Sequence, residues 1–122
     1  MKPLSKIVEP YVKSLTEAKY PSKANFSPDL YLFSKWAYRV EKGWYGFSLG
    51  NEVPMVWAQI IDDFLRELEK EAPKFKIQQI KLKFGGLRFY VQLNSRNKKK
   101  CEEINHNISG LSSLLFNAQL IY

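Results

Sequence analysis

The segment Ile80 to Val91, IKLKFGGLRFYV, alternates apolar and polar residues on either side of Gly85-Gly86. Two residues that accept positive φ between such runs predict a β-hairpin closed by a two-residue turn. With Gly85-Gly86 as the loop, Phe84 faces Leu87, Leu82 faces Phe89 and Ile80 faces Val91. All six apolar side chains then share one face of the ribbon, because side chains alternate along a strand. The opposite face collects Lys83 across from Arg88 and Lys81 across from Tyr90. A chain built around this unit contains a sheet that is apolar on one side and cationic on the other.

That cationic side belongs to a larger block. Between Ala72 and Lys100 the chain carries Lys74, Lys76, Lys81, Lys83, Arg88, Arg96, Lys98, Lys99 and Lys100 and no acid. The preceding stretch, Asn51 to Glu71, holds Glu52, Asp62, Asp63, Glu67, Glu69 and Glu71 against Arg66 and Lys70. The net charge of +7 is therefore concentrated, and a concentrated block draws in anionic partners. The alternative is internal: the acidic segment packs beside the basic one and cancels it.

With 122 residues, 45% hydrophobic and 15% aromatic, the chain suits one domain with a real core, 1–122. Its one cysteine, Cys101, excludes an internal disulfide framework and fits a reducing compartment, so a cytoplasmic location is expected. No apolar run approaches the roughly 20 residues of a membrane span. The N-terminal residues are broken by Lys6, Glu9, Pro10 and Lys13, unlike a signal peptide.

Along the chain, Leu4, Ile7, Val8, Tyr11, Val12 and Leu15 have helical spacing, with Pro10 inside the pattern. Either the helix starts near Glu9-Pro10 or a first turn is kinked onto a second. Tyr20 to Asp29, with Pro21 and Pro28, reads as loop. Trp36, Tyr38 and Val40 alternate like a strand, Lys42-Gly43 offers a turn, and Tyr45, Phe47 and Leu49 alternate again, which predicts a second hairpin. Trp57, Ile60, Ile61, Phe64, Leu65 and Leu68 form the widest helical stripe, with Pro54 in the first turn and Asn51 or Glu52 near the cap. Asn94-Ser95 opens a final helix with Ile104, Ile108, Leu111 and Leu115 on one face, weakened by Gly110. The expected class is α+β: a small antiparallel sheet of two hairpins with about three helices packed on one face.

Little of this supports catalysis. Cys101 and His106 are the only Cys and His, too few for a structural zinc site, and no metal or cofactor is expected. On one helix they would point about 140° apart, beyond reach of a Cys–His dyad. Asp62, Asp63 and Glu67 lie on or near the polar side of an amphipathic helix, where carboxylates are ordinary solvation rather than an acid–base pair. Gly85-Gly86 lacks the spacing and following helix of a phosphate-binding loop. Lys81, Lys83 and Arg88 beside Tyr90 are what a nucleic-acid surface uses, cations for phosphates and a ring for a base. Lys98, Lys99 and Lys100, poorly placed for the dipole at a helix start, would extend that patch.

Gly43-Trp44-Tyr45 before a helix, followed by Lys83-Phe84-Gly85-Gly86-Leu87-Arg88-Phe89-Tyr90, resembles a family of small uncharacterised bacterial and phage proteins. The likeness spans roughly Gly43 to Val91. The family motif has an acid between its two lysines where this chain has Leu82. Many of those proteins continue into a cysteine-rich tail resembling a zinc ribbon, which Leu111 to Tyr122 do not match, so no metal or nucleic-acid role carries over from it. The resemblance implies an accessory or mobile-element protein and brings no catalytic residue. The expectation is thus a non-enzymatic binding protein whose hairpin face contacts an anionic partner, nucleic acid or an acidic protein. The runner-up is a protein–protein module, of inhibitor or immunity type, using Trp44 and Tyr45. An uncovered hairpin edge could also pair with a second copy.

Overall fold

The computed structural model describes residues 1–17, 27–50, 53–83 and 86–120. The chain opens with α1 (Leu4–Val8), a single 3-10 turn (Glu9–Tyr11) and α2 (Val12–Glu17). Pro10 sits in the 3-10 turn, so the kinked arrangement is the one adopted: proline lacks the N–H that would continue α1. Ile7, Val8 and Leu15 are nevertheless all buried, because the tight turn keeps both short helices facing the core.

Most of the expected Tyr20–Asp29 loop lies outside the described residues. Ser27 caps α3 (Pro28–Trp36), its Oγ accepting the Leu30 amide at 3.2 Å, with Pro28 as the first helical residue. Pro28, Leu32 and Trp36, four residues apart, are the buried face. A 3-10 turn (Ala37–Arg39) follows and stacks the Trp36 and Tyr38 rings at 5.9 Å. The expected strand over Trp36 to Val40 is therefore helix and turn. The apparent alternation there came from the end of a helical stripe running into a tight turn.

Only β1 (Gly46–Ser48) survives from the expected second hairpin, and it pairs parallel with β2 (Lys76–Lys83). Val40 forms an isolated parallel bridge to Ile77. The turn at Lys42-Gly43 exists, with the Trp44 amide donating to Glu41 O at 3.0 Å and Gly43 at φ 88°. It does not reverse the strand direction. Between β1 and β2 runs α4 (Met55–Glu71), long enough to return the chain to the starting edge as a βαβ crossover. The sheet is therefore mixed, order β1-β2-β3, and holds one hairpin instead of two. The class is α+β as expected.

Trp57, Ile60, Ile61, Phe64, Leu65 and Leu68 are all fully buried on α4, which lies at the centre of the core. Pro54 precedes its first turn; Asn51 and Glu52 lie outside the described residues. The Phe64 ring meets Phe89 edge-on at 5.9 Å, which fixes α4 on the apolar face of the sheet. On one side α3 packs against β1, with Phe33 on Phe47 at 5.2 Å. On the other, α5 (Lys98–Leu120) runs along β3 (Gly86–Gln92), and Ser112 Oγ donates to Leu87 O on the sheet edge. The final helix starts three residues later than Asn94-Ser95. Asn94 takes a positive φ of 53° and donates to Lys74 O, and it is Asn97 Oδ1 that accepts the Lys100 amide. Gly110 has a packing role: a Cβ there would lie 3.1 Å from Leu4 of α1.

Within the hairpin the register differs from the expected one. Lys83 pairs with Gly86, so Gly86 is the first residue of β3 and not a turn residue. Phe84 and Gly85, between them, lie outside the described residues. The pairs are Leu82 with Leu87, Lys81 with Arg88, Ile80 with Phe89 and Gln79 with Tyr90. The shift is two positions along one strand, so the described side chains from Ile80 to Lys83 and from Leu87 to Val91 keep their expected faces. A bulge between Ile77 and Gln79 then lets Ile77 and Ile80, three apart, both face the core.

Candidate anion-binding face

The face of the sheet turned away from α4 is polar and open, and its residues form rows across the strands. Gly46, Gln79 and Tyr90 make one row, and Ser48, Lys81 and Arg88 the next. Lys83 continues along β2 beside Gly86. Arg88 is exposed, Tyr90 is 45% exposed, and the Lys81 ammonium lies 5.7 Å from the Tyr90 ring centroid. Lys81 and Arg88, directly opposite each other, repel in the absence of a third charge.

No carboxylate among the described residues forms an ion pair with Lys81 or Arg88, and the reason lies in where the acids of α4 point. Asp62, 2% exposed, accepts the Trp36 indole N–H at 2.8 Å and the Arg66 guanidinium at 2.8 Å, with Lys35 at 3.9 Å. Asp63 is bound by the Tyr11 hydroxyl and by Arg66. Burial and that same Asp63 contact push the Tyr11 phenol up to about 12. Glu67 pairs with Lys70, and Glu71 with Lys100 and the Met1 ammonium. Since α4 packs on the apolar face, the sheet itself separates its carboxylates from Lys81 and Arg88. Lys81 and Arg88 are therefore not neutralised by Asp63 or Glu67, while the acidic and basic segments do meet at Glu71 and Lys100.

Glu69 is an acid to which sequence reading assigned no role beyond charge. Arg39 grips it through Nε and Nη2 at 3.1 and 2.9 Å, and the Tyr38 hydroxyl donates to the same oxygen at 2.6 Å. The Tyr38 bond, more than Arg39, holds the Glu69 carboxyl below its ordinary range, against the opposing effect of burial. Arg39 is sandwiched between the Tyr38 and Phe75 rings at 5.2 and 5.0 Å. Lys35, Trp36, Tyr38, Asp62, Arg66 and Glu69 line a shallow cleft of about 370 Å³. Both of its carboxylates already hold donors, which makes it a polar seam between α3 and α4. No local spacing signals it, since Trp36 and Arg39 meet Asp62 and Glu69 only once α3 packs against α4.

Trp44 and Tyr45 occupy a segment whose placement follows from register alone. Val40 is opposite Ile77 and Gly46 is opposite Gln79, so Glu41 to Tyr45 stand across from Gln78 only. Five residues opposite one must bow out of the sheet edge. They carry Trp44 at 47% and Tyr45 at 72% exposure, while Glu41 anchors the base through its amide to Ile77 O and its carboxylate to Gln78.

The remaining candidates are not gathered into this face. Lys98, Lys99 and Lys100 start α5 in the helical layer, and Lys100 is paired with Glu71. Cys101 is half-buried with its Sγ 3.7 Å from Ser95 O, and His106 is exposed. Among the described residues no group of three His, Cys, Asp or Glu side chains is arranged to hold a metal, and no helix is long and apolar enough to cross a membrane. No family model, curated protein or solved structure matches the chain.

Proposed function

We propose that the protein acts by binding an anionic partner, nucleic acid, through the outer face of the β2–β3 hairpin. The observation that carries this reading is the directly opposed pair Lys81 and Arg88, to which no described carboxylate is paired. Two like charges across a strand pair lower stability, and a phosphate between them reverses the sign of that interaction. Tyr90 beside them supplies a stacking ring, which favours nucleic acid over a simple polyanion. The test is fluorescence anisotropy with labelled oligonucleotides at low and physiological salt, for the wild type and a Lys81→Glu/Arg88→Glu variant. Binding that is lost in the variant is the expected result. Binding retained in the variant, or none by the wild type at low salt, contradicts it.

A protein partner is the second reading, favoured by the bowed segment that exposes Trp44 and Tyr45. Aromatic anchors of this kind dominate protein interfaces, and such binding depends weakly on salt.

A further inference from the structure

Lys76 is a cation that strict strand alternation would turn inward. Counting back from Lys81 on the outer face puts Gln79 and Ile77 outside, and Lys76 on the core side with Ile80. The bulge in β2 reverses that order. Tyr90 and Val91 are consecutive on β3, but their partners Gln79 and Ile77 are two apart on β2, so Gln78 is the extra residue. Ile77 is thereby turned into the core and fully buried, while Lys76, opposite Gln92, is turned outward and exposed. Gln92 lies two residues from Tyr90 and four from Arg88 on β3, so Lys76 shares their face.

The bulge is held from the neighbouring edge. The Glu41 amide donates to Ile77 O at 2.8 Å, and the Gln78 side-chain amide donates to the Glu41 carboxylate at 3.0 Å. Val40 bridges to the same Ile77. The segment Val40-Glu41 thus clamps the extra residue that aims Lys76 outward. No described carboxylate forms an ion pair with Lys76.

The outer face therefore carries cations at two levels. Lys81 and Arg88 form one, Lys76 forms the other, and the row of Gln79 and Tyr90 stands between them. Four residues of β3 separate the levels, about 13 Å. With the Tyr90 ring in between, a single phosphate cannot serve both levels, whereas a chain of phosphates can. Nucleic acid is the polyanion that also offers a base to the ring.

We propose that a nucleic-acid strand lies along β2 and β3, one phosphate on Lys81 and Arg88, a base on Tyr90 and a further phosphate on Lys76. This rests on the anion-binding reading above and goes further in assigning Lys76 to the site and in giving the ligand's direction on the sheet.

The test uses the full chain with labelled oligothymidylate of eight nucleotides, titrated across a salt series from low salt upward. Wild type, Lys76→Gln, the charge-preserving Lys76→Arg and Lys70→Gln are compared. Lys70 is an exposed lysine of α4, which packs on the other side of the sheet, so Lys70→Gln matches the loss of one charge away from the outer face. Lys76→Gln is expected to bind severalfold more weakly than the wild type. It is also expected to lower the slope of log K against log salt by about 0.7, the contribution of one phosphate contact on a single strand. Lys76→Arg is expected to keep the wild-type slope, and Lys70→Gln to leave slope and affinity nearly unchanged. A Lys76→Gln protein that behaves like Lys70→Gln overturns the proposal while leaving binding at Lys81 and Arg88 standing. Absence of binding by the wild type at low salt removes both readings together.

Discussion

Lys81 and Arg88 face each other across the β2–β3 ladder on the side of the sheet opposite α4. The acidic helix that follows the bowed segment in sequence would cancel them if it packed on that side. It packs on the other, because its six-residue apolar stripe and the apolar face of the hairpin bury each other. The same hydrophobic pairing that builds the core thus leaves two opposed cations facing outward.

Such a pair predicts a trade between stability and binding. Lys81→Glu turns a repulsive cross-strand pair into an attractive one, and the fold is expected to gain about 0.5–1 kcal/mol. Thermal melts at low salt should show a rise of a few degrees. The same variant should bind nucleic acid less tightly than the wild type. A fall in melting temperature means that Lys81 already has a favourable environment in the free protein.

Asp62 is a buried carboxylate whose two oxygens hold Trp36 and Arg66. Asp62→Ala leaves the indole N–H buried without an acceptor and is expected to cost about 2–3 kcal/mol in urea denaturation. Asp62→Asn keeps an acceptor for Trp36 and should cost about 1 kcal/mol. Equal losses in the two variants would show that charge, not the indole bond, is what matters at this position.

Two glycines with positive φ separate strain from crowding. Gly43 has φ 88°, and a Cβ there would point into open space, so Gly43→Ala is expected to cost only backbone strain, about 1 kcal/mol. Gly46 has φ 75°, and a Cβ would lie 2.7 Å from Phe33, whose ring is held against Phe47. Gly46→Ala should therefore cost about 2–3 kcal/mol, strain plus displacement of a packed ring. Chemical denaturation of the two variants side by side checks the difference.

Acid sensitivity follows from Glu69. Its carboxyl is held below the ordinary value of 4.5 in the folded chain, first by the Tyr38 hydroxyl and then by Arg39. A depressed pKa contributes stability that is fully present above the unfolded value and is lost as pH falls through the folded one. Wild-type stability should thus decline as pH drops below about 4.5. Glu69→Gln should flatten that part of the curve while lowering stability near neutrality. Tyr38→Phe should make that decline smaller and end it at a higher pH, because the folded carboxyl then lies closer to its unfolded value.

Periodicity made the helical core legible. The stripe from Trp57 to Leu68 and the face Ile104, Leu111 and Leu115 are buried as their spacing requires, since a helix fixes which residues share a side. The faces of the hairpin were legible too, because a shift of two positions preserves alternation. Its register was not: moving the pairing by two positions leaves Ile80, Leu82, Leu87, Phe89 and Val91 on the same side. Around Trp36 the local pattern fits two periods over five residues, and the deciding signal was the Ser27-Pro28-Asp29 start of α3 upstream. The parallel direction of β1 depends on the crossover through α4, a long-range relation that no local pattern encodes. Nor does any spacing reveal that Asp62 and Asp63 bind Trp36 and Tyr11 instead of the hairpin lysines.

The most direct measurement is the salt dependence of single-strand binding for the wild type, Lys81→Ala and Arg88→Ala. Each cation that neutralises a phosphate contributes about 0.7 to the slope of log K against log salt. The slope is predicted to fall by about that amount in each variant, with affinity lowered at every salt concentration. Identical slopes in all three proteins would mean that neither cation touches a phosphate, and the outer face of the hairpin would not be the binding surface.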